Sequence, residues 1–259
     1  MTSQTNQIKK VREPLFHMVK RANITVRQKV IIYAVAIIGA MLLGSILCGI
    51  IGEVNPFQVF ASLVSGSFST PRRLRVFFQE FGLLLLVSMA VVPAFRMRFW
   101  NLGANGQVLV GCLATAACMH YLGGKIPDGW VNVLMILSAV LAGIVWAVIP
   151  AVFKAFFNTN ETLFTLMMNY IAEALVSYCV CVWTIGTDTN GVLNPMTKGH
   201  LPMVVSQYFA VVMVAVLVSA AVAVYLRYSK HGYEISVVGG SENTARYIGI
   251  NVKKVVIRT

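Results

Sequence analysis

The residues best suited to chemistry lie in one apolar stretch, residues 160–177. Polar side chains recur there every four residues, at Glu161, Thr165, Asn169, Glu173 and Ser177. On an α-helix this spacing stacks them into a slowly winding stripe. A charged side chain held in hydrocarbon costs upwards of about 2.5 kcal/mol, so the stripe is predicted to face other helices or a water-filled cavity. Such a helix could line the route of a polar solute through a membrane, or its gate.

The same polar groups allow a second interpretation. They could hydrogen-bond to neighbouring helices and hold a bundle together without touching any solute. Both interpretations require that the neighbours of this stretch are membrane helices.

A second unusual segment, residues 100–111, reads WNLGANGQVLVG. Glycines here allow close backbone approach or a break in a membrane helix, and amides can satisfy the freed backbone groups or hold a polar solute. A glycine-packed helix start with capping amides is the alternative. The segment contains three amides and three glycines: Asn101, Asn105, Gln107, Gly103, Gly106 and Gly111.

The elements that carry these residues are predicted to be membrane helices. Of the 259 residues, 58% are hydrophobic and 12% are charged, whereas a soluble domain carries about 25% charged residues. Long apolar runs predict an all-α, polytopic integral membrane bundle with about six transmembrane helices. We place these at residues 30–51, 77–95, 101–122, 130–153, 160–185 and 203–226, with a short surface helix at 57–64 inside the loop 52–76.

The net charge of +12 is explained by topology. With the N-terminus in the cytoplasm, sixteen Lys and Arg residues lie on the inner side and five on the outer side, which is the positive-inside pattern. Nucleic-acid binding is therefore not needed to explain the charge. The expected organisation is a cytoplasmic basic N-terminus (1–29), a transmembrane domain (30–226) and a cytoplasmic segment (227–259).

The last segment contains a predicted docking element. Ser241 or Asn243 can cap a short helix, Tyr247 and Ile248 can form its contact surface together with Ala245, and Gly249 can end it in the left-handed conformation. An ordinary solvated loop is the alternative.

Several kinds of chemistry are not expected. The cysteines Cys48, Cys112, Cys118, Cys179 and Cys181 lie in the apolar spans without metal-site or redox spacing, so we expect packing roles, no disulfide and no metal. The phosphate-loop pattern G-x-x-x-x-G-K-[ST] does not occur, so ATP hydrolysis is not expected of this chain. A histidine-dependent intramembrane protease is disfavoured because no histidine has an obvious nucleophile partner.

Three motifs together resemble a known family. WNLGANGQ resembles FNIGAEGQ, NETLFTLMMNYIA resembles NEVISTLMLNYIA, and GYEISVVGGSENTARYIGINVKK is similar to GFELRAVGxNPxAARYAGINVKR. These motifs occur in the same order in permease subunits of bacterial ABC importers for simple sugars and nucleosides, in the branched-chain amino acid and ribose permease superfamily. Asn105 stands where many members have Glu, Glu242 and Thr244 also differ from common residues, and members usually continue for about four more helices, to about ten.

The resemblance implies a transport subunit in the bacterial plasma membrane. Its partners would be a cytoplasmic ABC ATPase that uses ATP, a second permease subunit, an extracytoplasmic solute-binding lipoprotein and membrane lipid, with no cofactor bound by this chain. An ion- or proton-coupled secondary transporter and a purely structural membrane subunit are the alternatives.

The resemblance also implies two sets of site residues. Neutral amides and aromatic rings suit a sugar or a nucleobase, and the candidates for the solute path are Asn101, Asn105, Gln107, Glu161, Thr165, Asn169, Tyr170 and Glu173. The coupling helix, which in the family sits in a groove of the ATPase, corresponds to Gly239, Asn243, Ala245, Arg246, Tyr247, Ile248 and Gly249.

Overall fold

The computed structural model describes residues 25–185, 192–193 and 207–259. The predictions for residues 1–24, for Lys198 and for the start of the sixth span lie outside these residues. Two compact units make up the chain, Met1–Thr70 and Pro71–Thr259.

From Thr25 onward, the first unit consists of two helices, α1 (Val26–Gly52) and α2 (Pro56–Phe68). The turn between them is tight, since a Cβ on Gly49 would lie 2.7 Å from Cγ of Pro56. Asn55 caps α2, because its Oδ1 accepts a hydrogen bond from the backbone N–H of Phe57 at 2.9 Å. The expected first span and the short helix of the following loop are both present as helices.

Eight helices lie in the described residues of the second unit. They are α3 (Pro71–Arg96), α4 (Ala104–Leu122), α5 (Asp128–Phe157), α6 (Glu161–Trp183), α7 (Gln207–Tyr228), α8 (Lys230–Gly240), α9 (Glu242–Tyr247) and α10 (Val252–Arg258). In the described part of the chain, α1, α3, α5, α6 and α7 are long and apolar enough to cross a membrane. α4 has 19 residues and includes Asn105, Gln107 and His120, which lower its apolar character. The predicted all-α membrane bundle is confirmed.

The long helices of the second unit alternate in direction. α3 and α7 are parallel, since Gly82 packs on Val211 near one end while Met97 and Leu226 share a core at the other. α4 and α6 are also parallel to each other. α5 runs opposite to them, so that the ring of Phe153 near its end stacks on that of Phe164 near the start of α6 at 4.8 Å. This alternation is what successive membrane crossings require.

Charge is unevenly divided between the two ends of this unit. Nine Lys and Arg residues lie at the end where α3, α5 and α7 finish and where α8 to α10 pack: Arg96, Arg98, Lys154, Arg227, Lys230, Arg246, Lys253, Lys254 and Arg258. The described residues of the other end include four: Arg72, Arg73, Arg75 and Lys125. We refer to the first of these ends as the basic end.

The ends of most helices differ by a few residues from the sequence predictions, and two differences are larger. α3 begins at Pro71 and includes Arg72, Arg73 and Arg75, which we expected in a loop; proline at the first helical position has its φ preset for a helix and lacks only an N–H that would be unpaired anyway. The segment after α7 forms three helices, where one was expected. α8 exists because Ser229 caps it, accepting from the Gly232 N–H at 2.9 Å, and because Ile235 and Val238 are buried.

Candidate functional site

A polar seam joins the start of α4 to α6 near the basic end. Residues 101–103 are not helical, so their backbone groups need partners from elsewhere. Asn101 supplies one locally, because its Oδ1 accepts from the Gly103 N–H at 2.8 Å. α6 supplies the others.

Thr165 and Asn169 of α6 provide those partners. Oγ1 of Thr165 accepts from the Leu102 N–H at 3.1 Å. Oδ1 of Asn169 accepts from the Gly106 N–H at 2.8 Å, and its Nδ2 donates to the Leu102 carbonyl at 2.9 Å. Both side chains are buried, with 1% and 9% exposure. Two members of the polar stripe thus bind the backbone at the start of α4. For these two positions the contacts favour the interpretation that the stripe holds the helix bundle together.

Glycine is required where the backbone at the start of α4 approaches α6 most closely. A Cβ on Gly106 would lie 2.8 Å from Oδ1 of Asn169 and 3.2 Å from Nε1 of Trp146. A Cβ on Gly103 would lie 3.1 Å from Cβ of Thr165. Real Cβ atoms rarely approach their neighbours so closely, so the two glycines let the backbone of α4 touch α6.

Trp146 of α5 is a member of the seam that sequence reasoning missed. Its indole Nε1 is buried and has no hydrogen-bond partner among the described residues, which is uncommon for a buried donor. The available signal was a tryptophan in the middle of a long apolar run, and that pattern also fits ordinary packing.

Glu161 is paired rather than free. Its Oε2 lies 2.9 Å from Nζ of Lys154, and the two side chains are 15% and 25% exposed. The pair joins the end of α5 to the first turn of α6. Asn160 caps the same turn, with its Oδ1 accepting from the N–H groups of Thr162 and Leu163 at 3.1 and 3.2 Å. A paired carboxylate next to a helix N-terminus is well stabilised there.

The remaining candidates of the path lie away from the seam. Tyr170 is 63% exposed, and Glu173 and Asn105 are exposed as well, while Gln107 is half-buried. The stripe of α6 therefore divides into a buried part, Thr165 and Asn169, and an exposed part, Glu173 and Ser177.

The opposite ends of α4 and α6 are joined by aromatic rings. Nε1 of Trp183 donates to Oη of Tyr121 at 3.0 Å. The ring of His120 stacks on that of Trp183, with centroids 5.2 Å apart. The two parallel helices are thus connected at both ends.

The predicted coupling residues divide between the exposed surface and the interior of the protein. Ser241 caps α9 by accepting from the Thr244 N–H at 3.3 Å, and Gly249 has a φ of +84°, so these two predictions are confirmed. Tyr247 is 91% exposed and Ile248 is 55% exposed, whereas Ala245 is fully buried. Asn243 and Arg246 are exposed.

Gly239 is also in the interior. A Cβ there would collide with the carbonyl of Arg96 at the end of α3. Around it lies a core formed by the ends of α3 and α7 and by α8 to α10, which includes Met97, Phe99, Leu226, Ile235, Val238, Ala245, Val252 and Val255.

Comparison with known proteins agrees with this arrangement. Residues 74–259 match the family described as "Branched-chain amino acid transport system / permease component". The chain belongs to this family. No solved structure matches it significantly.

Three relatives of this permease-family chain are named as permeases of ABC transporters. The chain is 30% identical to the guanosine ABC transporter permease protein NupP of Bacillus subtilis over 66% of its length and 50% of the relative. It is 28% identical to the glucose ABC transporter permease protein TsgB13 of Haloferax volcanii, over 65% of the chain and 47% of the relative. It is 23% identical to the nucleoside ABC transporter permease protein NupB of Lactococcus lactis, over 89% of the chain and 66% of the relative. The chain thus spans about half the length of the first two relatives.

Proposed function

We propose that this permease-family chain forms part of the membrane path of an ATP-driven ABC importer for a nucleoside or a simple sugar. The family match and the relatives, which are permeases of ABC transporters for guanosine, glucose and nucleosides, support the class of transporter. A cytoplasmic ATPase would supply the energy, a solute-binding lipoprotein would deliver the solute, and a second permease subunit would complete the path. The basic end would face the cytoplasm of a bacterial cell.

The observation that carries the proposal is a continuous packed connection from α9 to the polar seam. Ala245 of α9 lies in the same core as Phe99, just after α3. From Phe99 the chain reaches Leu102 in three residues, and both backbone groups of Leu102 are held by α6. Close-packed interiors transmit displacement rather than absorb it. An ATPase that moved α9 would therefore act on the start of α4.

The seam and the exposed face of α6 have different roles in this proposal. Thr165 and Asn169, whose polar atoms are engaged with backbone, position α4. The groups left to meet a solute are Asn105 and Gln107 on α4, and Tyr170 and Glu173 on α6. Tyr170, Glu173 and Ser177 share one face by their spacing. A carboxylate on an exposed face of a membrane helix must meet water, protein or solute rather than lipid.

Uptake dependence tests the proposal. Cells that contain the full transporter should lose uptake of radiolabelled nucleosides and sugars when the partner ATPase carries a substitution in its phosphate loop. Uptake should persist when an ionophore collapses ion gradients while ATP is maintained. Uptake that needs the gradient and ignores the ATPase would establish a secondary transporter instead.

A further inference from the structure

A basic cavity lies at the junction of α7 and α8, away from the polar seam. Its volume is about 350 Å³, and it is bounded by the first turns of α8, by the connection from α9 to α10, and by α10. Lys230, Lys254 and Arg258 line it and are exposed. Within the described residues none of these three cations takes part in an ion pair.

One carboxylate is also present, but it is engaged. Oε2 of Glu234 lies 3.3 Å from Nδ1 of His231, and Nε2 of the same imidazole lies 3.2 Å from Oγ1 of Thr259. His231 is only 5% exposed, so it forms a fixed wall of the cavity. Three lysine and arginine charges against one carboxylate leave the cavity electropositive.

The cavity extends to the level of a membrane-spanning helix. A neighbouring cavity of about 310 Å³ shares Lys230, His231, Glu234 and Arg258, and is also lined by Tyr225 in the last turns of α7. Tyr228 and Tyr233 nearby are 74% and 61% exposed, as expected of aromatic residues at a membrane surface. A cluster of cations at this height fits the phosphate of a lipid headgroup.

We propose that this cavity binds the phosphate of an acidic phospholipid, with Lys230, Lys254 and Arg258 as its cationic ligands. The site requires only that the chain sits in a membrane, and it is independent of which solute is carried. Lys230 begins α8 and Lys254 and Arg258 lie on α10, so a bound headgroup would hold these two helices together beside α9.

Lipid retention by the complete transporter tests the assignment. The transporter, with its partner subunits, is placed in nanodiscs of phosphatidylcholine containing phosphatidylglycerol, and retained phosphatidylglycerol is measured by native mass spectrometry. The double variant Lys254→Gln, Arg258→Gln should retain it about 25-fold less, given about a factor of five for each cation removed. Lys253→Gln is the matched control, since Nζ of Lys253 lies 5.0 Å from the centre of the Phe156 ring, on α5, and it should retain the lipid normally.

A second variant guards against misfolding. Lys254→Arg with Arg258→Lys keeps both charges and should restore retention. Retention by the neutral double variant equal to that of the parent would overturn the proposal. So would charge-dependent binding of inorganic phosphate to the detergent-purified transporter without competition from phosphatidylglycerol, since the ligand would then be a free anion. Loss of retention when the ATPase is removed would assign the lipid to that subunit and overturn the proposal as well.

Discussion

The backbone N–H of Gly106 donates to Oδ1 of Asn169 across 2.8 Å, although 63 positions separate the two residues in the sequence. The same side chain donates to the carbonyl of Leu102 at 2.9 Å. One amide of α6 thus satisfies both a donor and an acceptor of the segment that starts α4. Backbone groups at the start of a helix that have no partner within the helix need partners of this kind.

Replacing Asn169 by Leu should destabilise the protein. The substitution keeps the approximate volume but leaves the Gly106 N–H and the Leu102 carbonyl unpaired, at about 1–3 kcal/mol for each group. The apparent melting temperature of the detergent-purified transporter should fall, and uptake with it. Leu163→Ala on the same helix is the control, because Leu163 is 55% exposed. Equal effects of the two changes would show that the seam contributes no special stability.

Gly106→Ala should impair uptake strongly. The new Cβ would lie 2.8 Å from Oδ1 of Asn169, so either the hydrogen bond or the separation of α4 and α6 must change. Gly111→Ala lies on the same helix and provides a matched control, since its Cβ would be 3.7 Å from the Ala139 carbonyl, an ordinary contact. Transport assays at equal expression compare the two. Normal uptake by Gly106→Ala would contradict a requirement for close approach.

Lys154 and Glu161 should show thermodynamic coupling. Each single change, Lys154→Gln or Glu161→Gln, leaves the other charge half-buried and unpaired, whereas the double change removes both charges. The double variant should therefore be less destabilised than the sum of the two single variants, by about 1 kcal/mol. This is the upper end of the range for exposed ion pairs, because both side chains here are largely shielded from water. Thermal unfolding of the four proteins measures the difference. Strict additivity would mean that the 2.9 Å contact contributes nothing.

Tyr247→Asp should uncouple transport from ATP hydrolysis while the protein still folds. The side chain is 91% exposed, so a charge there costs little in the isolated subunit but would prevent an apolar contact with the ATPase. Co-purification of the ATPase and solute-stimulated ATP hydrolysis are the measurements. Tyr247→Phe is the control, because it keeps the aromatic ring at the same exposed position and adds no charge. Full co-purification of the ATPase with the Tyr247→Asp variant would show that this residue is not part of the docking surface.

Cysteines introduced at the two ends of the second unit should react from opposite sides of the membrane. Lys125→Cys lies between α4 and α5, and Asn243→Cys lies on α9 at the basic end. An impermeant maleimide added to intact cells should label the first position only, and lysis should expose the second. Labelling of both from outside would refute the predicted orientation.

Sequence periodicity predicted the helices and the inward placement of Thr165 and Asn169, because four-residue spacing puts them on one side. It did not predict where that side stops being covered. Glu173 continues the spacing but is exposed, since each four-residue step turns by about 40° around a helix of 3.6 residues per turn, while α4 continues alongside α6 as far as Trp183. Gly239 was assigned to the docking surface on resemblance alone, and the structure shows it against the carbonyl of Arg96. Trp146 was not predicted because no periodic pattern marks it. Its place in the seam depends on how α4, α5 and α6 meet at Gly106.

The attachment of α4 to α6 at both ends has a mechanical consequence. Hydrogen bonds to Thr165 and Asn169 secure one end, and the rings of Tyr121, His120 and Trp183 secure the other. Sliding or splaying these helices apart would break both attachments, so we expect them to tilt as one rigid body. We expect any bend between this pair and α3 in the connector between α3 and α4, where Arg98 has a φ of 62° in the left-handed region. A solute would therefore meet a wall that pivots as a whole, rather than one that opens between its helices.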